Sequence, residues 1–599
     1  MGAERTFGWI QNSGDITGLK KVAGVFVKNS AVCQDLLNFR LPLMQANDLI
    51  TEQDYNAISD AIQNHDGNLS YALLKGKGSG GKARADAKCS GIVQAVINAQ
   101  KSIDVVNLDG ETVSIKKPYT DAWSAECFIR WAVSTGLLRY NEDTDTCSIT
   151  YLGERLVHTQ DGSTDEKSLL AEALMTYPPV QRVLNILSSG DSFTKFEIGA
   201  QLGFVGEMGF TSIPQGYYIA LLQGAADAKE RAEIRSNVEG DSDKYARMIA
   251  SWLIKMGWVE NTSKEVSDSY KGVFYEGKLP AYKITIRGEQ ALKRARGNSS
   301  NHRVPKLVLL QMLATKIADT SYVRIRRAHI IQSLARPKGI EDIINYLSTK
   351  GLTETESTII DDIHGLNNIG LHIDYSDTTR KYVLNDTIIG LEIPSIKVVK
   401  QNVTRLKDTV RDKLLHVDHA YLILIDLAYS DASSKGAKNA DAREFEIKTT
   451  ELLTKELSFK GERLGDSNRP DVVVWKNANG IIIDNKSYKD GFNVGRNNED
   501  EMSRYIEQAQ MQIPGQPSNE WWRVFSDNAV TAYNYLFVTS FLKGNFKTNL
   551  TSLSARRRIQ GGAIGVDNLL YLAESICRGD MEESDVPALF TNDEIRISL

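Results

Sequence analysis

The sequence predicts a multidomain chain in which mainly α-helical, winged-helix subdomains are followed by one α/β domain. Three observations carry that reading. At 599 residues the chain exceeds what one hydrophobic core can organise. A pattern of helix, glycine and paired strands recurs three times before residue 390. After Ile393-Pro394 that pattern gives way to a mixed α/β sequence containing two β-branched runs.

The first copy runs SAECFIRWAVST, Gly136, LLRYN, a polar turn, then CSITY. The second runs SDKYARMIASWLIKM, Gly257, WVE, a longer insertion, then AYKITI. The third runs TESTIIDDIHGLNNI, Gly370, LHIDY, SDTTR, then KYVL. Glycine at a helix end supplies a left-handed C-cap, and two strands with a polar tip form a hairpin. In the second copy Tyr245, Met248, Ile249, Trp252, Leu253 and Met256 form one apolar stripe. Lys244, Arg247, Ser251 and Lys255 lie opposite, where they can meet a DNA groove or only solvent.

Composition narrows the class without naming it. Hydrophobic residues are 42% and charged residues 25% of the chain, ordinary values for globular protein. No apolar run suggests a membrane span and the N-terminus lacks a secretory signal. Five scattered cysteines without a C-x-x-C pair suggest reduced thiols in a cytoplasm. The net charge of −5 gives no basic excess, so any nucleic-acid surface must be local. Lys293, Arg294, Arg296, Arg303 and Lys306 form one candidate cluster, and Arg324, Arg326 and Arg327 another.

The C-terminal part holds the clearest chemistry, in RPDVVVWKNANGIIIDNKSY. Val472–Trp475 and Ile481–Ile483 read as adjacent buried strands joined by a short turn. Asp471 starts the first; Asp484 and Lys486 end the second, two residues apart and therefore on one face. Oxygen ligands can hold Mg²⁺ with positions left for water and a phosphate oxygen. An adjacent ammonium can orient the water or balance charge on the transition state. This is the P-D…D-x-K constellation of phosphodiester hydrolysis. Glu446 and Glu451, on a helix expected over 440–457, are possible additional carboxylates, and a solvated helix face fits them equally.

The segments RTFGWIQN, GFTSIPQG, EIRSNVEGDSDKYARMI, RVPKLVLLQMLAT, YVRIRRAHI, LGDSNRPD, IIIDNKSY, DEMSRYIE, NEWW and FLKGNF together resemble the FokI family of type IIS restriction endonucleases over nearly the whole chain. The resemblance places the family's catalytic residues on Asp471, Asp484 and Lys486, with Mg²⁺ held by the two aspartates. It places DNA contacts on Gln11, Asn12, Arg84, Trp123, Ser236, Glu239, Lys244 and Arg247. For Trp123 core packing is the competing reading, and for Gln11 and Asn12 a free terminus. It further implies an asymmetric duplex DNA site, GGATG or related, cut on both strands at a fixed distance. A transient homodimer on DNA through Asp500 and Arg504, a bacterial cytoplasm and a companion DNA methyltransferase are also implied. Ser236 where the family has asparagine, Val238 in place of tryptophan and Asn485 in place of a small hydroxyl residue depart from the pattern.

The expected division is subdomain 1 over 1–165, subdomain 2 over 166–300, subdomain 3 over 301–390, a linker over 391–400, and a PD-(D/E)xK nuclease domain over 401–599. A strand-specific nicking or repair nuclease, and a winged-helix transcription regulator with a dead nuclease domain, are the competing functional readings.

Overall fold

The computed structural model describes residues 7–10, 14–78, 87–107, 109–207, 210, 215–235, 243–270, 273–297, 303–315, 319–395, 398–430, 439–465 and 468–599. The repeated pattern appears as three helix–hairpin units. Helix α1 (Ala122–Ser134) leads to strands β1 (Leu138–Asn141) and β2 (Thr146–Ile149). Helix α2 (Lys244–Lys255) leads to β3 (Val259–Tyr270) and β4 (Val273–Ile284). Helix α3 (Glu356–Asn368) leads to β5 (Ile373–Ser376) and β6 (Lys381–Leu384). Gly136, Gly257 and Gly370 stand between helix and hairpin with φ of 73°, 70° and 107°, as a left-handed stop requires. The insertion expected in the second unit is itself strand, so this wing has two strands of 12 residues.

The first two units are alike in finer detail than the sequence pattern suggested. Each hairpin ends in a threonine that caps the next helix by accepting from a glycine N–H three residues on, Thr150 with Gly153 and Thr285 with Gly288. Each threonine hydroxyl also donates to the carbonyl of the helix-stop glycine, at 2.7 Å to Gly136 and 2.8 Å to Gly257. A Cβ on Gly153 or Gly288 would lie 2.2 or 2.1 Å from the carbonyl oxygen of Leu137 or Trp258. Only glycine lets the helix seat that closely.

The three units do not stand as separate cores. One apolar cluster runs from Phe7 to Ile373 and takes in Trp131 of α1, Trp252 of α2 and Ile359 of α3. The apolar stripe of α2 enters it through Ile249, Trp252 and Leu253, while Ser251 and Lys255 face solvent.

Beyond residue 400 the fold is a mixed sheet between helices. Helix α4 (Asn402–Lys413) and helix α5 (Asn439–Glu451) precede strands β7 (Lys460–Arg463), β8 (Val472–Lys476) and β9 (Asn479–Lys486). Helix α6 (Arg496–Met511), strand β10 (Ala532–Thr539), helix α7 (Phe546–Arg557), strand β11 (Gly561–Gly565), helix α8 (Val566–Arg578) and strand β12 (Asp593–Ile595) follow. The sheet order is β7-β8-β9-β10-β11-β12, antiparallel through β9 and parallel thereafter. Side chains alternate between two layers. Ile481 and Ile483 join the core with Phe445 of α5 and Leu569 of α8, and Ile482 joins that with Met502 of α6 and Leu550 of α7.

The seam between α3 and this region is polar. Arg411 Nε lies 2.9 Å from Asp361, His419 Nδ1 3.0 Å from the same carboxylate, Lys400 Nζ 3.2 Å from Glu354, and Thr404 Oγ1 3.2 Å from Asp319.

Of the two candidate basic clusters, the second is structural and the first is so only in part. Arg324, Arg326 and Arg327 are buried. Asp362 pairs with Arg326 at 2.7 Å and Arg327 at 2.6 Å, and Glu207 pairs with Arg327 at 2.5 Å. Lys306 and Arg303 share Asp386 at 2.8 and 3.3 Å, leaving Lys293, Arg294 and Arg296 on the solvent side. A guanidinium stripped of water is retained only when paired. Asp362→Ala should therefore cost about 3–5 kcal/mol in denaturant unfolding, with the salt dependence of DNA binding unchanged. A changed salt slope with intact stability would return these arginines to the DNA surface.

Candidate active site

Strands β8 and β9 are apolar because both faces of this sheet are covered. Val472, Val473, Val474, Ile482 and Ile483 are inaccessible to solvent. The apolar run stops where charge begins. Val472 lies opposite Ile483, so Asp471 falls one step beyond it, level with Asp484, and β9 continues to Lys486 on the same face.

Asp471 is fixed from two directions. The Asn485 N–H, beyond the start of β8, donates to Asp471 Oδ2 at 2.7 Å. The Asp471 carbonyl accepts from the N–H groups of Leu464 and Gly465 at 2.9 and 3.2 Å, which ties it to the end of β7. Lys486 Nζ lies 2.8 Å from Asp484 Oδ2 and 3.8 Å from Glu501 on α6. That Asp484 oxygen is buried with the Lys486 ammonium as its neighbour among the described residues, and a carboxylate oxygen beside one cation still has a lone pair to offer another.

Burial, together with the neighbouring carboxylates of Asp484 and Glu446, pushes the Asp471 carboxyl well above the ordinary range. Burial works against the Lys486 charge, yet Asp484 and Asp471 hold its ammonium above the usual lysine value. The lysine is therefore a proton-bearing cation here, and the acid pair is crowded.

Of the two possible additional carboxylates, neither lies on a solvated face. Glu446 accepts from Arg463 Nε at 2.7 Å and bears on Asp471; Glu451 is buried and bound to Lys448 at 2.6 Å. Among the described residues no three His, Cys, Asp or Glu side chains converge to hold a metal, which leaves Asp471 and Asp484 as a pair.

The other expected site residues are spread over the chain. Gln11, Asn12, Arg84, Ser236 and Glu239 lie outside the described residues. Lys244 heads α2, and Arg247 follows one turn later, half-buried. Trp123, in the first turn of α1, is 41% exposed, so it is not a core residue. On α6, Asp500 and Arg504 do not pair with each other. Asp500 meets Arg556 Nη1 of α7 at 2.8 Å, and Arg504 lies 4.0 Å from Glu501. Sequence reasoning missed Arg463, Glu501 and Arg556, all partners supplied by distant segments; only the Arg556-Arg557-Arg558 run gave a local signal.

Two acids and a lysine closing a buried hairpin, inside a mixed sheet layered by helices, define a restriction-type nuclease domain. Comparison with known proteins agrees along the whole chain. Residues 5–159 match "FokI, recognition domain, subdomain 1", 166–300 "FokI, recognition domain, subdomain 2", 313–378 "FokI, D3 domain" and 400–596 "FokI, cleavage domain". The type II restriction enzyme FokI of Planomicrobium okeanokoites is 37% identical over 604 residues, covering 99% of each chain. The type II restriction enzyme StsI of Streptococcus sanguinis is 30% identical over 593 residues, 96% of this chain and 93% of that one. The solved structure of restriction endonuclease FokI superposes with a TM-score of 0.82, and that of FokI bound to DNA with 0.84. Both are 36% identical and cover 99% of this chain and 100% of theirs. The chain belongs to the FokI family of type II restriction endonucleases, and it is a DNA-cleaving enzyme of that family.

Crowding at Asp471 has a measurable consequence. Its folded-state carboxyl keeps its proton to higher pH than the unfolded chain does, at about 3.9 unfolded. Stability is therefore lost as pH rises through the unfolded value and on to the folded one. Asp471→Asn should melt above wild type near neutral pH in chelator, and the two should converge in acid. Added divalent cation should stabilise wild type, by about 2.7 kcal/mol at 100 times its Kd, and leave the variant unmoved.

Proposed function

We propose that the chain recognises a short asymmetric duplex sequence, GGATG or a close relative, and hydrolyses both strands at a fixed distance to one side. On this reading residues 1–165 and 166–300 bind the site, 301–390 and the 391–400 linker join it to the cutter, and 401–599 cut. The observation that carries the chemistry is the Asp471, Asp484 and Lys486 cluster at the end of the β8–β9 hairpin. A solved relative at 36% identity bound to DNA supports the substrate.

Restriction nucleases of this type use a divalent cation, and we take it to be Mg²⁺, held by Asp471 and Asp484. When bound there it supplies Lewis-acid polarisation of the scissile phosphate and makes water nucleophilic near neutral pH. Lys486, kept protonated by its acidic neighbours, balances charge as the phosphate becomes pentacoordinate. Glu501 helps hold that ammonium. In the recognition part, Gln11 and Asn12 have the donor–acceptor pairs that read adenine. Arg84, Lys244 and Arg247 suit guanine and Glu239 suits the cytosine amino group, and Ser236 and Trp123 complete the proposed contact set.

One such cluster serves one strand, so double-strand cleavage calls for a second nuclease domain across the duplex. Asp500 and Arg504 are both exposed on α6, where a two-fold contact would pair each with the other on a second copy. A methyltransferase acting on the same sequence completes such a system in a bacterial cytoplasm by shielding the host's own sites.

Asp484→Ala should abolish cleavage of a plasmid carrying the site while gel-shift affinity survives, since the loss is of activation and not of recognition. Binding lost together with cleavage would make the acid structural. Run-off sequencing of digested random-sequence plasmids should return one asymmetric motif with constant offsets; scattered ends would refute the fixed reach. Asp500→Arg should slow second-strand cutting, and mixing it with Arg504→Asp should restore part of it. First-order dependence on enzyme with both variants active would exclude the dimer.

A further inference from the structure

Residue 485 occupies the middle of the D-x-K run and faces away from the acids. Successive side chains on β9 alternate, so Asp484 and Lys486 share one face and Asn485 points to the other, toward α5. There its Nδ2 donates to Thr449 Oγ1 at 2.7 Å. Asn485 is 7% and Thr449 0% exposed, in the layer formed by Phe445, Leu452, Val472 and Ile483. Among the described residues, the amide oxygen of Asn485 is buried without a partner. An apolar side chain would fill this place without leaving a polar atom dry, so packing alone does not account for the asparagine.

We infer that Asn485 and Thr449 act as positioning residues for the acid pair, fixing Asp471 by clamping α5 to the end of β9; this rests on the reading of Asp471 and Asp484 as cation ligands. The contacts close a ring. The main-chain N–H of Asn485 holds the Asp471 carboxylate at 2.7 Å, and its side chain holds Thr449 on α5. Glu446, three residues earlier and on the same side of α5, accepts from Arg463 of β7 at 2.7 Å. Just past β7 the Leu464 N–H returns to the Asp471 carbonyl at 2.9 Å. Helix α5 is the one member not tied to Asp471 by the sheet ladder, and the Asn485–Thr449 bond joins it to the ligand strand. Loss of that bond lets α5, and Glu446 with it, shift against Asp471. Outer partners of this kind typically change metal affinity or turnover by about 10–100-fold.

The test separates the oxygen from the shape. Thr449→Val keeps the shape and loses the hydroxyl; Thr449→Ser keeps the hydroxyl and loses a methyl. Ca²⁺ is titrated calorimetrically into each full-length protein without DNA, with melting temperature in chelator, DNA-site affinity and single-turnover cleavage in Mg²⁺ measured alongside. The expected result is Ca²⁺ affinity and cleavage both reduced at least about 10-fold in Thr449→Val and in Asn485→Ala. The double variant should be no worse than either, Thr449→Ser should be near wild type, and DNA-site affinity should be constant. Normal Ca²⁺ affinity and cleavage in Thr449→Val, or a loss in Thr449→Ser equal to that in Thr449→Val, overturns the inference. Wild type whose Ca²⁺ binding is untouched by Asp484→Ala overturns the ligand reading itself, a result independent of residue 449.

Discussion

Two carboxylates held level with each other at the end of a water-excluding hairpin repel one another, and the rest of the cutting domain is arranged to tolerate that repulsion. The apolar strands supply the force. Burying six valine and isoleucine side chains of β8 and β9 on both faces fixes a register, and the register leaves Asp471 and Asp484 no freedom to separate. Lys486 and the Asn485 N–H offset part of the cost. What remains is a crowded acid pair, as expected where stability is traded against function.

The same physics sorts the arginines. Where a guanidinium is enclosed, as at Arg326 and Arg327, it is matched by Asp362, Glu354 and Glu207 and serves the architecture. Where it is exposed, as at Arg294, water solvates the charge. Sequence shows a cationic cluster in both cases, and only burial tells them apart. That is why the run Arg324, Arg326 and Arg327 misleads as a sign of a nucleic-acid surface.

Legibility followed the range of the contacts. The three helix–glycine–hairpin units were readable because a left-handed stop and a polar turn are local requirements. The shared face of Asp484 and Lys486 was readable from strand periodicity, and the place of Asp471 beside them from the short hairpin turn. The long wing of the second unit was not, since its polar strands lack the alternation that a buried face imposes. Nor were the threonine caps at Thr150 and Thr285, whose second bond reaches back across a hairpin. Arg463 and Arg556 pair with Glu446 and Asp500 from other elements of the fold, and Glu501 reaches Lys486 from α6, so local periodicity shows none of these pairings. Asp500 shows the same limit: its partner in the fold is Arg556 of α7, which no local spacing indicates.

The common core of the first 390 residues and the polar seam beside it bear on how such a protein can change over generations. A lineage that alters one helix–hairpin unit disturbs Trp131, Trp252 and Ile359 together, so new sequence preferences must arise by substitution on a retained scaffold. The cutting part has its own two apolar layers and meets the remainder largely through charges that water can replace. Recombination at that seam breaks little, so a cutter of this kind is portable, able to be inherited apart from the reader it serves.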